Sequence, residues 1–191
     1  MTTVAIVYFS GTGNTKLMAE AVAEGAQSVE QTTAKVFRIT GEQITAGRWQ
    51  DETIMAALSE ADAIVIGSPT YMGGVAAQVK AFIDAAGEVW FSQGWKNKLA
   101  GGFTHSGSPS GDKQGTLLYL ATNAAQHSMI WVGSSEMPDP ESGVNRAGSY
   151  LGVMGYGRGE GEVDPGDLKF SQLYGQRIAK ATLAWNAAQM N

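Results

Sequence analysis

Short, unbroken apolar runs alternate with segments of helical periodicity along almost the whole chain, and this alternation restricts the fold more than any other feature. Residues 4–9, 35–39, 63–67, 99–105 and 128–132 read as strands. Between them, residues 14–29, 51–60, 75–86 and 112–126 read as helices. Met18, Val22, Ala26 and Val29 mark one apolar face, and Val75, Val79, Phe82 and Ile83 another. A fifth helix is expected from Asp164-Pro165-Gly166-Asp167 onward, where a capping acid, a proline at the first helical position and an acid at the third coincide. Strands and helices in alternation predict an α/β fold, a five-stranded parallel sheet with helices on both faces. The run Ala63-Ile-Val-Ile-Gly67 is apolar without alternation, as suits a strand buried on both sides. Residues 133–163 are rich in glycine and show little periodicity.

Composition narrows the chemistry. The chain has 191 residues, 43% hydrophobic and 16% charged, enough for one domain with a full core, and no boundary or repeat divides residues 1–191. With no cysteine, disulfides, thiolate catalysis and Cys-based metal sites are excluded, and no metal is expected. A net charge of −5 argues against a nucleic-acid surface, which needs clustered Lys and Arg. No apolar run is long enough to span a bilayer, so no membrane insertion is expected. No secretory signal is visible at Met1-Thr-Thr-Val4, and a cytoplasmic location is the default expectation.

In a parallel sheet of this kind a ligand sits beyond the carboxyl ends of the strands, where the winding reverses. The loops that follow the first, third and fourth strands are all rich in Gly, Ser, Thr and Pro. In the first, Ser10, Gly11, Thr12, Gly13, Asn14 and Thr15 join a strand to a helix N-terminus. Free N–H groups and the positive end of the helix dipole meet there and favour an anion such as phosphate. It is neither a Walker A loop nor a dinucleotide fingerprint, since Lys16 stands where the third glycine belongs. An ordinary strand–helix turn with a hydroxyl cap is the plain alternative. The second loop, Ser68-Pro69-Thr70-Tyr71-Met72-Gly73-Gly74, carries two large residues at its tip, which a flat aromatic ligand would cover. Its alternative is a turn that packs Tyr71 on its neighbours. The third holds His105, Ser106, Gly107, Ser108 and Gly111, many small donors and one imidazole suited to the edge of a polar heterocycle; otherwise it is a flexible surface loop.

At this point a resemblance becomes specific. Ser10-Gly-Thr-Gly-Asn-Thr15 is similar to the FMN phosphate loop of flavodoxins. Met18-Ala-Glu-Ala-Val-Ala-Glu-Gly25, Gly67-Ser-Pro-Thr-Tyr-Met-Gly73, Gln78-Val-Lys-Ala-Phe-Ile-Asp84, Gly87-Glu-Val-Trp90, Lys98-Leu-Ala100 and His127-Ser-Met129 resemble the WrbA-type branch of flavodoxin-like NAD(P)H:quinone oxidoreductases. The likeness covers nearly the whole chain. It implies a flavodoxin-like three-layer sandwich with strand order 2-1-3-4-5. It also implies FMN as cofactor, its phosphate on residues 10–15, its ring flanked by Pro69, Thr70, Tyr71, Met72 and Gly73, and its pyrimidine edge on Ser106, Gly107, Ser108 and Gly111 with His105 beside them. Trp90 matches an aromatic that walls the quinone pocket, often from a neighbouring subunit. Gln126 stands where the branch carries the flavin-facing member of a histidine pair, with His127 next to it. Tyr71 and Met72 replace the branch's common Arg and Phe.

The resemblance therefore implies a two-electron enzyme. NAD(P)H as co-substrate gives a hydride to flavin N5, which passes it to a quinone or another small-molecule acceptor. The expected substrate pocket is Tyr71, Trp90, His105, Gln126 and His127, with His105 or His127 supplying a proton. The family implies a homodimer or homotetramer, although residues 40–61 are shorter than in typical members. A flavodoxin-type carrier of single electrons between proteins is the alternative. Such carriers are strongly acidic around the flavin, and the loops named here contain few acids.

Overall fold

The computed structural model describes residues 1–189, in the order β1 (Thr2–Tyr8), α1 (Asn14–Gln27), β2 (Thr32–Arg38), β3 (Ile44–Thr45), β4 (Arg48–Trp49), α2 (Glu52–Glu60), β5 (Ala63–Tyr71), β6 (Gly74–Val75), α3 (Ala77–Ala85), α4 (Gly87–Phe91), β7 (Leu99–Ser106), α5 (Lys113–Gln126), β8 (Ile130–Trp131), β9 (Val153–Tyr156) and α6 (Pro165–Gln189). The parallel sheet runs β2-β1-β5-β7-β8, the order 2-1-3-4-5 that the resemblance implies. The sequence on β1 explains its burial. Val4, Ile6 and Tyr8 face a core made with Met18 and Val22 of α1 and Phe170, Tyr174 and Ile178 of α6. Ala5 and Val7 face the opposite core, with Leu58 of α2, Phe82 of α3, Leu120 of α5 and the two buried indoles Trp49 and Trp95. Both faces of the strand are covered, so it reads as an unbroken apolar run.

On the first face α1 and α6 touch through glycines. A side chain on Gly25 would overlap the carbonyl of Gln172, and one on Gly175 would overlap the carbonyl of Val22. α6 begins as its sequence predicts: Pro165 is its first residue and Asp164 Oδ1 accepts from the Gly166 amide at 2.8 Å.

The fifth strand position departs from expectation. Instead of one strand over residues 128–132, two short pieces share the outer edge of β7. Leu99 and Ala100 pair with β8, and residues 103–106 pair with β9, which lies in the stretch that showed little periodicity. Residues 132–152 form the excursion between them. β9 was illegible because its neighbours are glycines required by packing: a Cβ on Gly152 would overlap the Gly102 carbonyl, and one on Gly155 would lie 2.9 Å from Met18 Sδ. β5 also runs past Gly67 to Tyr71 and turns back into β6, so α3 starts at Ala77 rather than at residue 75.

Candidate functional site

Register brings the three glycine-rich loops to one end. Tyr8 lies level with Gly67, Pro69 with His105, and Ser106 with Tyr156, so β1, β5, β7 and β9 all deliver their following loops above the same edge of the sheet. There they bound a cleft of about 300 Å³ lined by Thr12, Asn14, Thr15, Pro69, Thr70, Tyr71, His105, Ser106, Gly107 and residues 157–160. That volume lies at the small end of cofactor pockets. A larger surface groove, about 950 Å³, lies between β4, α2, α3 and α4. Two of its carboxylates are already engaged: Asp51 caps α2 through the Ile54 amide, and Asp84 pairs with Lys80.

The first loop leaves backbone donors free at a helix N-terminus, the kind of arrangement that suits an anion. Gly13 takes a left-handed conformation, φ 94°, and no side chain caps α1. The amides of Asn14, Thr15 and Lys16 have no acceptor within the described residues, and no acid lies in the first turn. Ser10 Oγ accepts from the Gly13 amide at 3.1 Å and so shapes the loop. Asn14 is buried and ties the loop to residues 159–162: its Nδ2 donates to the carbonyls of Gly159 and Glu162, and its Oδ1 accepts from the Gly161 amide. Residues 10–15 hold neither Lys nor Arg, but folding adds cations near them. Arg38 Nη2 lies 3.4 Å from the Ser10 carbonyl, and Arg158 lines the cleft.

The second loop is a tight hairpin. Thr70 and Tyr71 pair with Val75 and Gly74, and the two linking residues, Met72 and Gly73, both have positive φ, 49° and 78°. Positive φ at both central positions is the turn that matches strand twist, and it falls on Met72-Gly73 rather than on Gly73-Gly74. Met72 is thereby fully exposed. Tyr71 reaches from the hairpin across to the first loop, where its hydroxyl occupies the space that a Cβ on Gly11 would need. Thr70 does not point freely into the cleft: its hydroxyl joins those of Thr104 and Thr116, each at 2.7 Å.

The third loop wraps a buried ammonium. Lys113, the first residue of α5, is only 1% exposed. Its Nζ donates to Ser106 Oγ and to the carbonyls of Ser108, Pro109 and Ser110, all at 2.8–2.9 Å. The amides of Gly107, Ser108, Ser110 and Gly111 have no acceptor within the described residues. His105 lines the cleft from β7, and its Nε2 is buried without a hydrogen-bond partner. Burial lowers its pKa to about 4, Asp167 opposing and Lys113 and Arg146 assisting. The imidazole is therefore neutral near pH 7. As a neutral ring it offers one N–H donor and one acceptor nitrogen.

Sequence reasoning missed the fourth wall. Residues 157–160 also line the cleft and bring Arg158 and Glu160 to it. Their base is fixed by a bidentate pair between Arg146 and the fully buried Asp167, at 3.0 and 2.6 Å. The Arg146 guanidinium also lies 3.6 Å over the Tyr156 ring. The alternation of glycines at 155, 157, 159 and 161 was the available signal, since it marks a backbone that must approach its neighbours closely.

Residues 3–146 match the family model described as NADPH-dependent FMN reductase. The chain belongs to this family. It is 38% identical over 189 residues to the flavodoxin FldP of Pseudomonas aeruginosa, covering 94% of this chain and 96% of that protein. It is 32% identical over 193 residues to an NAD(P)H dehydrogenase (quinone) of Archaeoglobus fulgidus, covering 94% and 97%. Among solved structures, a flavodoxin, WrbA-like protein from Agrobacterium tumefaciens superposes with a TM-score of 0.77 at 40% identity, over 96% of this chain and 99% of that one. The family match ends before β9, the 157–162 loop and α6, whereas all three relatives extend over nearly the whole chain.

The family-implied pocket residues do not all meet. Tyr71 and His105 line the cleft. Trp90 lies on α4, in the connection that leads down to the amino end of β7, 44% exposed beside Phe91, which is 85% exposed. Gln126 and His127 close α5, which runs back along β7 to the same lower edge. His127 is buried there, its ring 4.5 Å from that of Trp95, and burial lowers its pKa too. Within one chain these three residues lie at the opposite edge of the sheet from the cleft.

Proposed function

We propose that this protein is an FMN-dependent oxidoreductase that passes electrons from NAD(P)H to quinones in two-electron steps. One observation carries this reading. An uncapped helix N-terminus without acids, an exposed aromatic ring on a tight hairpin and a loop of unbonded amides all contribute to a single cleft, the kinds of group that a phosphate, a flat ring and an acceptor-rich ring edge call for. The residues present fit the group. The amides of Asn14, Thr15 and Lys16, with Thr12 beside them, would hold the phosphate. Pro69, Thr70, Tyr71, Met72 and Gly73 would border the ring, and Gly107, Ser108 and Gly111 would meet its polar edge. Bound flavin would supply the hydride chemistry, and the chain would hold and orient the ring. His105, neutral and short of one hydrogen bond, would contact ring or substrate without carrying charge.

The relatives named as quinone dehydrogenases support the enzyme reading. The relative named as a flavodoxin favours the second reading, a carrier of single electrons between proteins. Charge speaks for the enzyme, since the cleft presents one cation and one acid, Arg158 and Glu160, rather than an acidic rim for electrostatic docking. Assembly into a dimer or tetramer belongs to the enzyme reading, because Trp90 reaches a cleft only from a neighbouring copy. The deciding experiment is stopped-flow oxidation of NADH or NADPH by the flavin-loaded protein with benzoquinone as acceptor. Rapid turnover with electrons leaving in pairs is expected. No reaction with either nicotinamide would leave the carrier. A purified protein that is colourless and fails to quench FMN fluorescence on titration would overturn both.

A further inference from the structure

Lys113 is the most deeply buried cation among the described residues, and no step of the chemistry above uses it. Its position is a costly one. A cation in the first turn of a helix opposes the helix dipole, and burial of an ammonium is unfavourable unless its protons are all engaged. Burial accordingly lowers its pKa to about 8, with Asp167 opposing and Arg146 assisting, so that it stays largely protonated at pH 7. The compensation comes from the third loop: Ser106 Oγ and three successive carbonyls converge on Nζ. The Tyr156 ring also lies beneath it, 5.4 Å from Nζ to centroid.

The convergence has a geometric consequence. In a trans peptide C=O and N–H point in opposite directions. Carbonyls 109 and 110 turned inward on the ammonium leave the N–H groups of Ser110 and Gly111 turned away from it, and Pro109 has none to turn. These are amides that find no acceptor among the described residues.

We propose that Lys113 is a buried positioning cation for the ring end of the cleft. It draws the loop's carbonyls inward so that the amides face a ring edge that gathers negative charge on reduction, and its own charge favours that reduced form. The inference rests on the FMN reading. A flavin that accepts a hydride becomes negative along its N1–C2 carbonyl edge, so a fixed cation behind the loop binds reduced flavin more tightly than oxidised flavin and raises the two-electron midpoint potential.

Two substitutions separate shape from charge. Lys113→Met keeps the length and loses the charge. Lys113→Arg keeps the charge, but a planar fork cannot engage four converging acceptors as an ammonium does. In Lys113→Met, hydrogen exchange of the amides at 113 and 115, which donate to the carbonyls of Ser110 and Asp112, should quicken at least tenfold in the flavin-free protein. Reduced FMN should lose about tenfold more affinity than oxidised FMN, lowering the midpoint potential by about 30 mV. In Lys113→Arg the loop should loosen while the potential stays near that of the parent. Equal loss of affinity for both redox forms, or an unchanged potential in Lys113→Met, would overturn the proposal. Should Lys113→Met not fold, nitrogen-15 NMR of the flavin-free parent decides: a slowly exchanging Nζ ammonium at pH 7 supports the placement, and a freely exchanging one defeats it. A parent that takes up no FMN defeats the function instead, and the exchange and NMR measurements still test the cation.

Discussion

The two edges of the sheet hold the same kinds of residue and do opposite things with them. At the carboxyl edge, loops follow strands. Tyr71 is half exposed, His105 lines a cleft, and amides are left unbonded. At the amino edge, loops follow helices. Trp95 is buried under His127, the Asn97 amide donates to the Ser128 carbonyl, and the Leu99 amide donates to the Asp62 carbonyl. One edge leaves donors free for a ligand and the other satisfies them internally. The difference follows from parallel winding, which sends every strand-to-helix turn to one side and every helix-to-strand turn to the other. A residue's edge is thus set by what precedes it in the chain, whatever its own chemistry.

The sharpest way to break this contrast is to make the carboxyl edge repel the phosphate proposed for it. Thr12 is exposed at the loop tip, so Thr12→Glu should fold normally. A carboxylate about 4 Å from a phosphate, at an effective dielectric near 20, costs about 4 kcal/mol, close to a thousandfold in affinity. Fluorescence titration with FMN measures it, and undiminished binding would move the phosphate elsewhere. Next in size is Tyr71→Ala, which removes the ring spanning the hairpin and the first loop. Lost stacking of about 1–2 kcal/mol should weaken FMN roughly five- to thirtyfold, with thermal stability little changed.

Much of this contrast was legible in the residues. The apolar runs located the central strands because strands buried on both faces leave no room for alternation, and Ser10-Gly-Thr-Gly-Asn-Thr15 marked the strand–helix turn whose Thr12, Asn14 and Thr15 line the cleft. Three things were hidden. β9 contains glycine where its neighbours press close, and packing there overrides β-propensity. Lys113 reads as an ordinary helix residue, since nothing local announces that four acceptors will fold back on it. The pairing of Arg146 with Asp167 joins residues on separate elements, and only the tertiary fold brings them together. Trp90, Gln126 and His127 were grouped with the cleft through family likeness, which carries no information about which edge of a single chain they occupy.

Both histidines offer a smaller test, one that treats the edges alike. Burial lowers the pKa of each, that of His105 from 6.5 to about 4. Between those values the unfolded chain takes up a proton that the folded chain refuses, so the native state loses stability as pH falls through the window. The urea midpoint should drop between pH 7 and pH 4.5. The His105 share is about 1–2 kcal/mol once the wet cleft is allowed for. His105→Gln should flatten part of that slope, and FMN should protect the parent because ligand binds only the folded state. A pH-independent midpoint would show that neither ring is held neutral.

The smallest expected effect lies at the amino edge and is the most discriminating. Trp90→Ala and His127→Leu should each leave the affinity for FMN within about twofold of the parent, the scale on which remote sites behave independently. His127→Leu also removes a buried Nδ1 that has no partner, so it should not cost stability. Trp90→Ala differs in one respect. Trp90 and Phe91 form an exposed aromatic pair, rings 6.4 Å apart, of the kind that interfaces cover. If copies of the chain assemble through it, the variant should shift the molar mass measured by light scattering and raise KM for the quinone while FMN binding holds. If instead FMN affinity falls in the monomer, the two edges are coupled through the sheet, and the contrast between an open edge and a sealed one is wrong.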